Sequence, residues 1–145
     1  MEPMEHVKML QMMYAGVLAD AVLRYGQEGV LEHVTQTKFA EQISNGKTRA
    51  AQMGITNTEE VFTKLSALMG CADWITARDA SGVVTATATR CMLCAMAKRL
   101  GAQSPCNVYC LDPMEGMVRG LNEKAVVNVE ETLYSGAQCR VRISE

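Results

Sequence analysis

The hydrophobic spacing of this chain changes period near residue 71, and that change restricts the fold more than any other feature of the sequence. Before it, apolar residues return every three or four positions. Val7, Leu10, Met13 or Tyr14, Val17, Leu18, Ala21 and Val22 predict a helix over 4–25 with one apolar face, ended by Tyr25-Gly26. Val30, Val34, Phe39, Ile43 and Ala50 predict a second helix from Glu28 to Met53. Ser44-Asn45-Gly46 marks a bend or break in it, because glycine costs about 1 kcal/mol relative to alanine in a helix interior. Thr56-Asn57-Thr58-Glu59-Glu60 is a capping signal for a third helix over 58–70.

After residue 71, β-branched runs at 73–78 and 83–89 flank Asp79-Ala80-Ser81-Gly82, which is hairpin chemistry. A helix is expected at 91–100, closed by Gly101. Another follows Ser104-Pro105 and runs to Arg119, with Pro113 in its first turn or breaking it. Residues 125–133 and 138–143 form a second hairpin across Tyr134-Ser135-Gly136-Ala137. The order is ααα-ββ-αα-ββ. It predicts one α+β domain over 1–145, with a helical part (1–70) and a four-stranded antiparallel sheet covered by cysteine-bearing helices (71–145). At 145 residues the chain is long enough for one core and short for two.

A formal charge of −2 with scattered basic residues, and only one Trp and two Phe, argue against nucleic acid as a partner. No run approaches the roughly 18 apolar residues a membrane span needs. The acidic start Met-Glu-Pro-Met-Glu does not read as a signal peptide, so a reducing cytoplasm is expected. The eleven methionines read as flexible core filler. A homo-oligomer, or a place as a subunit of a larger complex, stays open on size alone.

Four of the six cysteines fall within 91–110, as Cys91-Met-Leu-Cys94 and Cys106-Asn-Val-Tyr-Cys110, and Cys139 follows in the last strand. Three readings stand side by side. Cys91, Cys94, Cys106 and Cys110 could bind zinc or an iron–sulfur cluster, since each pair shares a helix face. An antiparallel helical hairpin, however, would hold Cys91 about 13 Å of axial rise from the turn where Cys106 begins. One centre therefore needs crossed helices or a loop carrying Cys106 back. Alternatively, Cys91 is a nucleophile. It follows Thr89-Arg90 and opens a helix, where free N–H groups, the helix dipole and Arg90 favour a thiolate. His6 and His33 lie on N-terminal helices, so Asp112, Glu115, Glu130 and Glu131 are the nearer proton-transfer candidates. In the third reading the thiols only pack, which suits Cys71 between Gly70 and Ala72. Asn122 reads as a turn or helix-end residue, Trp74 as a core anchor and Asp79 as a turn residue. Glu130 and Glu131 should face opposite sides of their strand.

The run Arg90 to Gly101, with Cys106, Cys110, Gly120-Leu121-Asn122, Glu131-Thr132-Leu133, Gly136 and Cys139, resembles the L-2-amino-thiazoline-4-carboxylic acid hydrolase-like family. Arg24-Tyr25-Gly26-Gln27-Glu28-Gly29 resembles that family's helical lead-in. A looser likeness reaches vinyl-reductase-type small-molecule-binding domains, which also end in a Glu-containing strand followed by Gly-x-x-Cys. The resemblance implies a small-molecule substrate and hydrolytic opening of a cyclic amidine-like carbon–nitrogen bond in a sulfur heterocycle. The cysteines, Asn122 and Glu131 match the family pattern, which assigns them no roles. On the residue reading Cys91, Glu131 and Asp112 are the candidate catalytic group, with Arg90, Glu115, Asn122 and Cys139 as candidate substrate contacts. Met92 and Val141 stand where the family pattern has aromatics, which bears on pocket shape and substrate. The alternative is a non-catalytic small-molecule or metal-binding sensor built on the same cysteines.

Overall fold

The computed structural model describes all 145 residues. Helix α1 (Pro3–Gln27) starts at a capping box between Glu2 and Glu5. It buries Ala15, Leu18, Ala19 and Val22, packing beside Leu93 and Ala97 of α4 (Met92–Leu100). The apolar face expected of α1 is therefore only half used. Val7, Leu10, Met13, Tyr14 and Val17 are exposed: α4 packs on the later part of α1, and before it only the end of α3 comes close, where Gln11 Nε2 donates to the Leu68 carbonyl. The methionines divide in the same way: Met114 and Met117 fill core, whereas Met4, Met9, Met12 and Met13 do not.

Gly29, in the left-handed conformation at φ 72°, turns the chain so that α2 (Leu31–Gln52) begins at Leu31 and not at Glu28. The helix continues unbroken through Gly46. Its glycine serves packing: a Cβ there would overlap the Gly116 carbonyl of α5 (Asp112–Leu121). Likewise, a Cβ on Gly116 would overlap the Gln42 carbonyl, and one on Gly120 the Lys47 backbone. The two helices cross in backbone contact, closer than side chains would permit.

The third helix, α3 (Thr58–Met69), opens at Asn57, whose side chain accepts from the Glu60 N–H at 2.9 Å, and closes at Gly70, φ 61°. Glu60 reaches back to accept from the Thr56 N–H and hydroxyl and the Asn57 amide. Its pKa is held near 2, first by the Thr56 hydroxyl and then by Lys64.

The sheet is antiparallel throughout in the order β1-β2-β4-β3, with β1 (Ile75–Arg78), β2 (Val84–Ala88), β3 (Val126–Glu131) and β4 (Cys139–Ser144). Asp79 organises the first hairpin by accepting from the Ser81 N–H and hydroxyl and the Val83 N–H. The central strands alternate as expected of one covered face. Val84, Ala86 and Ala88 pair with Ile143, Val141 and Cys139, and these six enter the core with Val61 and Phe62 of α3 and Met114, Met117 and Val118 of α5. Trp74 anchors that core edge-on to Phe62, with ring centroids 5.2 Å apart.

One local expectation fails, and another, the disturbance at Pro113, takes a form the sequence did not specify. The register shifts between Val129 and Glu131, and this bulge breaks the alternation that would aim one of Glu130 and Glu131 at the helices. Glu130 instead pairs with Arg140 and Arg142, and Glu131 accepts from the Ala137 N–H in its own hairpin. The segment after Pro105 is also not a plain helix. Asn107–Leu111 is a π-helical turn in which the Asp112 N–H reaches the Asn107 carbonyl. A proline inside a helix has no N–H to give and crowds the carbonyl four residues back. The widened turn just ahead of Pro113 accommodates both effects, and the helix runs on into α5. No helix is long and apolar enough to cross a membrane.

Candidate functional site

The polypeptide places six thiols around the junction of α3, β2, α4 and the π turn. Cys91 is the N-cap of α4, extended at φ −150° and ψ 115°, and its Sγ accepts from the Cys94 N–H at 3.4 Å. Cys71 lies just after α3 and reaches it through an isolated bridge between Ala72 and Cys91. The Met92 N–H donates to the Cys71 carbonyl at 2.8 Å, and the Leu93 N–H to Cys71 Sγ at 3.3 Å. The two sulfurs, Cys71 Sγ and Cys91 Sγ, are then 3.5 Å apart. A second couple forms deeper, with Cys94 Sγ 3.5 Å from Cys106 Sγ, both buried. Cys139 accepts from the Leu133 N–H at 3.3 Å.

Within each couple one sulfur is lowered and the other raised. The Cys71 thiol, then the Cys94 thiol and the N–H groups opening α4, stabilise charge on Cys91 and hold it below the ordinary thiol range. The same contact with Cys91, together with burial, pushes Cys71 up. In the second couple the Cys94 thiol lowers Cys106 to about 6, while Cys94 is raised. Burial raises Cys110 well above its usual value and Cys139 to about 11.

Two cavities meet here and share Ala72, Trp74, Leu93 and Cys110 as a wall. The larger, about 330 Å³, lies between α1, α2, α3 and the π turn, and Cys71 opens onto it. The smaller is apolar and lined by Cys91, Cys94, Cys106, Cys110 and Cys139. At about 10 Å³ it has room for no more than a water. Cys71 and Cys110 are thus the cysteines on the large cavity, and Cys91 Sγ lies 3.5 Å from Cys71 Sγ.

A family model described as L-2-amino-thiazoline-4-carboxylic acid hydrolase matches residues 6–143. The chain belongs to this family. No curated protein and no solved structure gives a match. Membership supports a hydrolase-like small-molecule function at the level of the thiazoline-hydrolase family, and the matched range contains every residue lining both cavities.

Within this thiazoline-hydrolase family member, the residues singled out from sequence divide clearly. Cys91, Cys94, Cys106, Cys110 and Cys139 converge on the small cavity. No three Cys, His, Asp or Glu side chains come together in a geometry that could hold a metal ion. Cys91 is coupled to Cys71 and Cys94 to Cys106, while Cys110 contacts no other sulfur, so the four are not gathered at one tetrahedral centre. The loop through Pro105 does carry Cys106 back, but to Cys94 alone. The polar candidates lie elsewhere. Arg90 forms an exposed ion pair with Asp73. Glu115 pairs with Arg119 one turn along α5. Asn122 accepts from the Lys124 N–H in the turn before β3. Glu131 organises its hairpin, where the Ala137 N–H lowers its pKa. Asp112 is buried, with its carboxyl raised to about 6 by desolvation and by Glu115, between Leu111 on one cavity and Pro113 on the other.

Sequence reasoning missed the large cavity. Cys71 reads as packing, and its contact with Cys91 depends on a bridge twenty residues away in sequence. Lys38, Gln42 and Arg49 also line the cavity, and here a signal existed: spacings of four and seven put them on one face of α2.

Proposed function

We propose that this chain is a thiol-dependent hydrolase that opens a 2-amino-thiazoline-type ring at its amidine carbon, with the Cys71–Cys91 couple as its reactive centre. The observation carrying this reading is the 3.5 Å sulfur–sulfur contact, with Cys71 lining the large cavity and Cys91 at the N-terminus of α4. Cys91 holds the negative charge of the pair. Cys71 attacks the amidine carbon of the protonated ring and passes its proton to Cys91 as the C=N electron pair moves onto nitrogen.

The resemblance implies a carbon–nitrogen opening. Among the heteroatoms on that carbon, however, sulfur is the weakest base and leaves most readily. The adduct expels ring sulfur, which recovers the proton from Cys91. Water then adds to the thiol-bound carbon and Cys71 departs, leaving a carbamoyl product and a free thiol. The net change is one water added. Asp112 and Glu131 contribute no side chain to either cavity and have no part in this scheme.

Turnover of 2-amino-thiazoline-4-carboxylate by purified wild type, Cys71→Ser, Cys91→Ser and Cys110→Ser tests the reading. The first two substitutions should each lower kcat by at least about 100-fold, and the third should leave it within a few-fold. A new thiol in the product marks carbon–sulfur opening, and a new primary amine marks ring carbon–nitrogen opening. Undiminished turnover in either Cys71→Ser or Cys91→Ser rules the couple out.

A further inference from the structure

Part of the large cavity's wall is electropositive and has no counter-charge. Lys38 and Arg49, both on α2, line it, and no Asp or Glu does. Neither cation has a carboxylate within ion-pairing reach, although eight other ion pairs occur in the molecule. Arg49 Nη1 donates to Gln42 Oε1, which fixes both side chains along the helix face. Gln42 is only 5 % exposed, and its amide nitrogen donates to no protein group, so its N–H2 remains available to the cavity. Lys38 Nζ stands 5.8 Å from the centre of the Tyr109 ring, which holds the ammonium over the same cavity. The remaining wall is largely apolar.

Two cations with an oriented amide, in a largely apolar cavity that Cys71 also lines, are matched by a ligand with an anionic head and a compact apolar body. We infer that Lys38, Gln42 and Arg49 form a carboxylate-binding part of the cavity wall that orients the ligand toward Cys71. They are positioning residues, because they hold the ligand and take no part in bond making. This deepens the hydrolase reading and rests on it for the choice of probe.

The test is equilibrium binding of 2-amino-thiazoline-4-carboxylate and its uncharged 4-carboxamide to full-length Cys71→Ser protein, so that neither probe is consumed. The carboxylate should bind about 10- to 100-fold tighter, the range expected for charge-assisted hydrogen bonds, and raised salt should erode that preference. Lys38→Gln with Arg49→Gln should abolish the preference while leaving carboxamide affinity unchanged, which also shows that the cavity persists. Equal binding of the two probes, a preference surviving in the double variant, or no binding of either probe overturns the inference. The hydrolase reading fails separately: wild-type and Cys71→Ser protein turning over alike would sink the thiol couple and leave the anion preference standing.

Discussion

Two thiolates 3.5 Å apart would repel strongly, so when one sulfur of the Cys71–Cys91 couple is charged the other keeps its proton. The surroundings favour charge on Cys91. Each sulfur receives one backbone N–H, Cys91 from Cys94 and Cys71 from Leu93, but Cys91 also caps α4 and has the Cys71 and Cys94 thiols against it. An ordinary thiol loses about tenfold of its thiolate for each pH unit below 8.5. Because the folded-state pKa of Cys91 is depressed, the couple keeps its charge as pH falls through that range. Iodoacetamide alkylation of the couple, followed by peptide mass mapping, should therefore proceed at nearly the same rate at pH 6 as at pH 8. Replacing Cys71 by Ala removes the largest cause of the depression and should move the profile upward. A wild-type rate titrating near 8.5 would contradict the assignment of charge to Cys91.

Among the elements, the α2–α5 crossing does most to shape the cavity, since α2 supplies its cationic face and α5 its Met114 wall. Backbone contact at Gly46, Gly116 and Gly120 draws the helices together. Two effects oppose each other when Gly46 becomes Ala: helix propensity favours the change by about 1 kcal/mol, and overpacking against a backbone carbonyl costs about 1–3 kcal/mol. Overlap with a carbonyl that cannot swing aside makes the second effect win. Gly46→Ala should lower the urea midpoint. Gly16→Ala on α1, where a Cβ meets nothing within 4 Å, should raise it. Stabilisation by both substitutions would mean the crossing is looser than described.

For the molecule as a whole, Trp74 links the layers. It packs on Phe62 of α3, sits among the core residues of the sheet, and forms part of the wall shared by the two cavities. It is also the only tryptophan. Binding of 2-amino-thiazoline-4-carboxylate to Cys71→Ser protein should therefore change the intrinsic fluorescence, and Trp74→Phe should remove the signal without removing binding by calorimetry. Unchanged emission at saturating ligand would place the ligand outside the large cavity.

Local rules settled much of this protein in advance. Period and turn chemistry determined the ααα-ββ-αα-ββ order, Asn57 and Cys91 their caps, Asp79 its hairpin, and the helix-opening position of Cys91 its Sγ contact with a backbone N–H. These depend on residues a few positions apart, whose geometry the backbone alone dictates. Contacts between distant segments followed no such rule. The pairing of Cys71 with Cys91, the backbone crossing at Gly46, and the cationic part of the cavity wall arise where elements remote in sequence meet. A glycine reads as a helix breaker until another helix lies against it, and a cysteine reads as packing until a second sulfur is folded to within 3.5 Å.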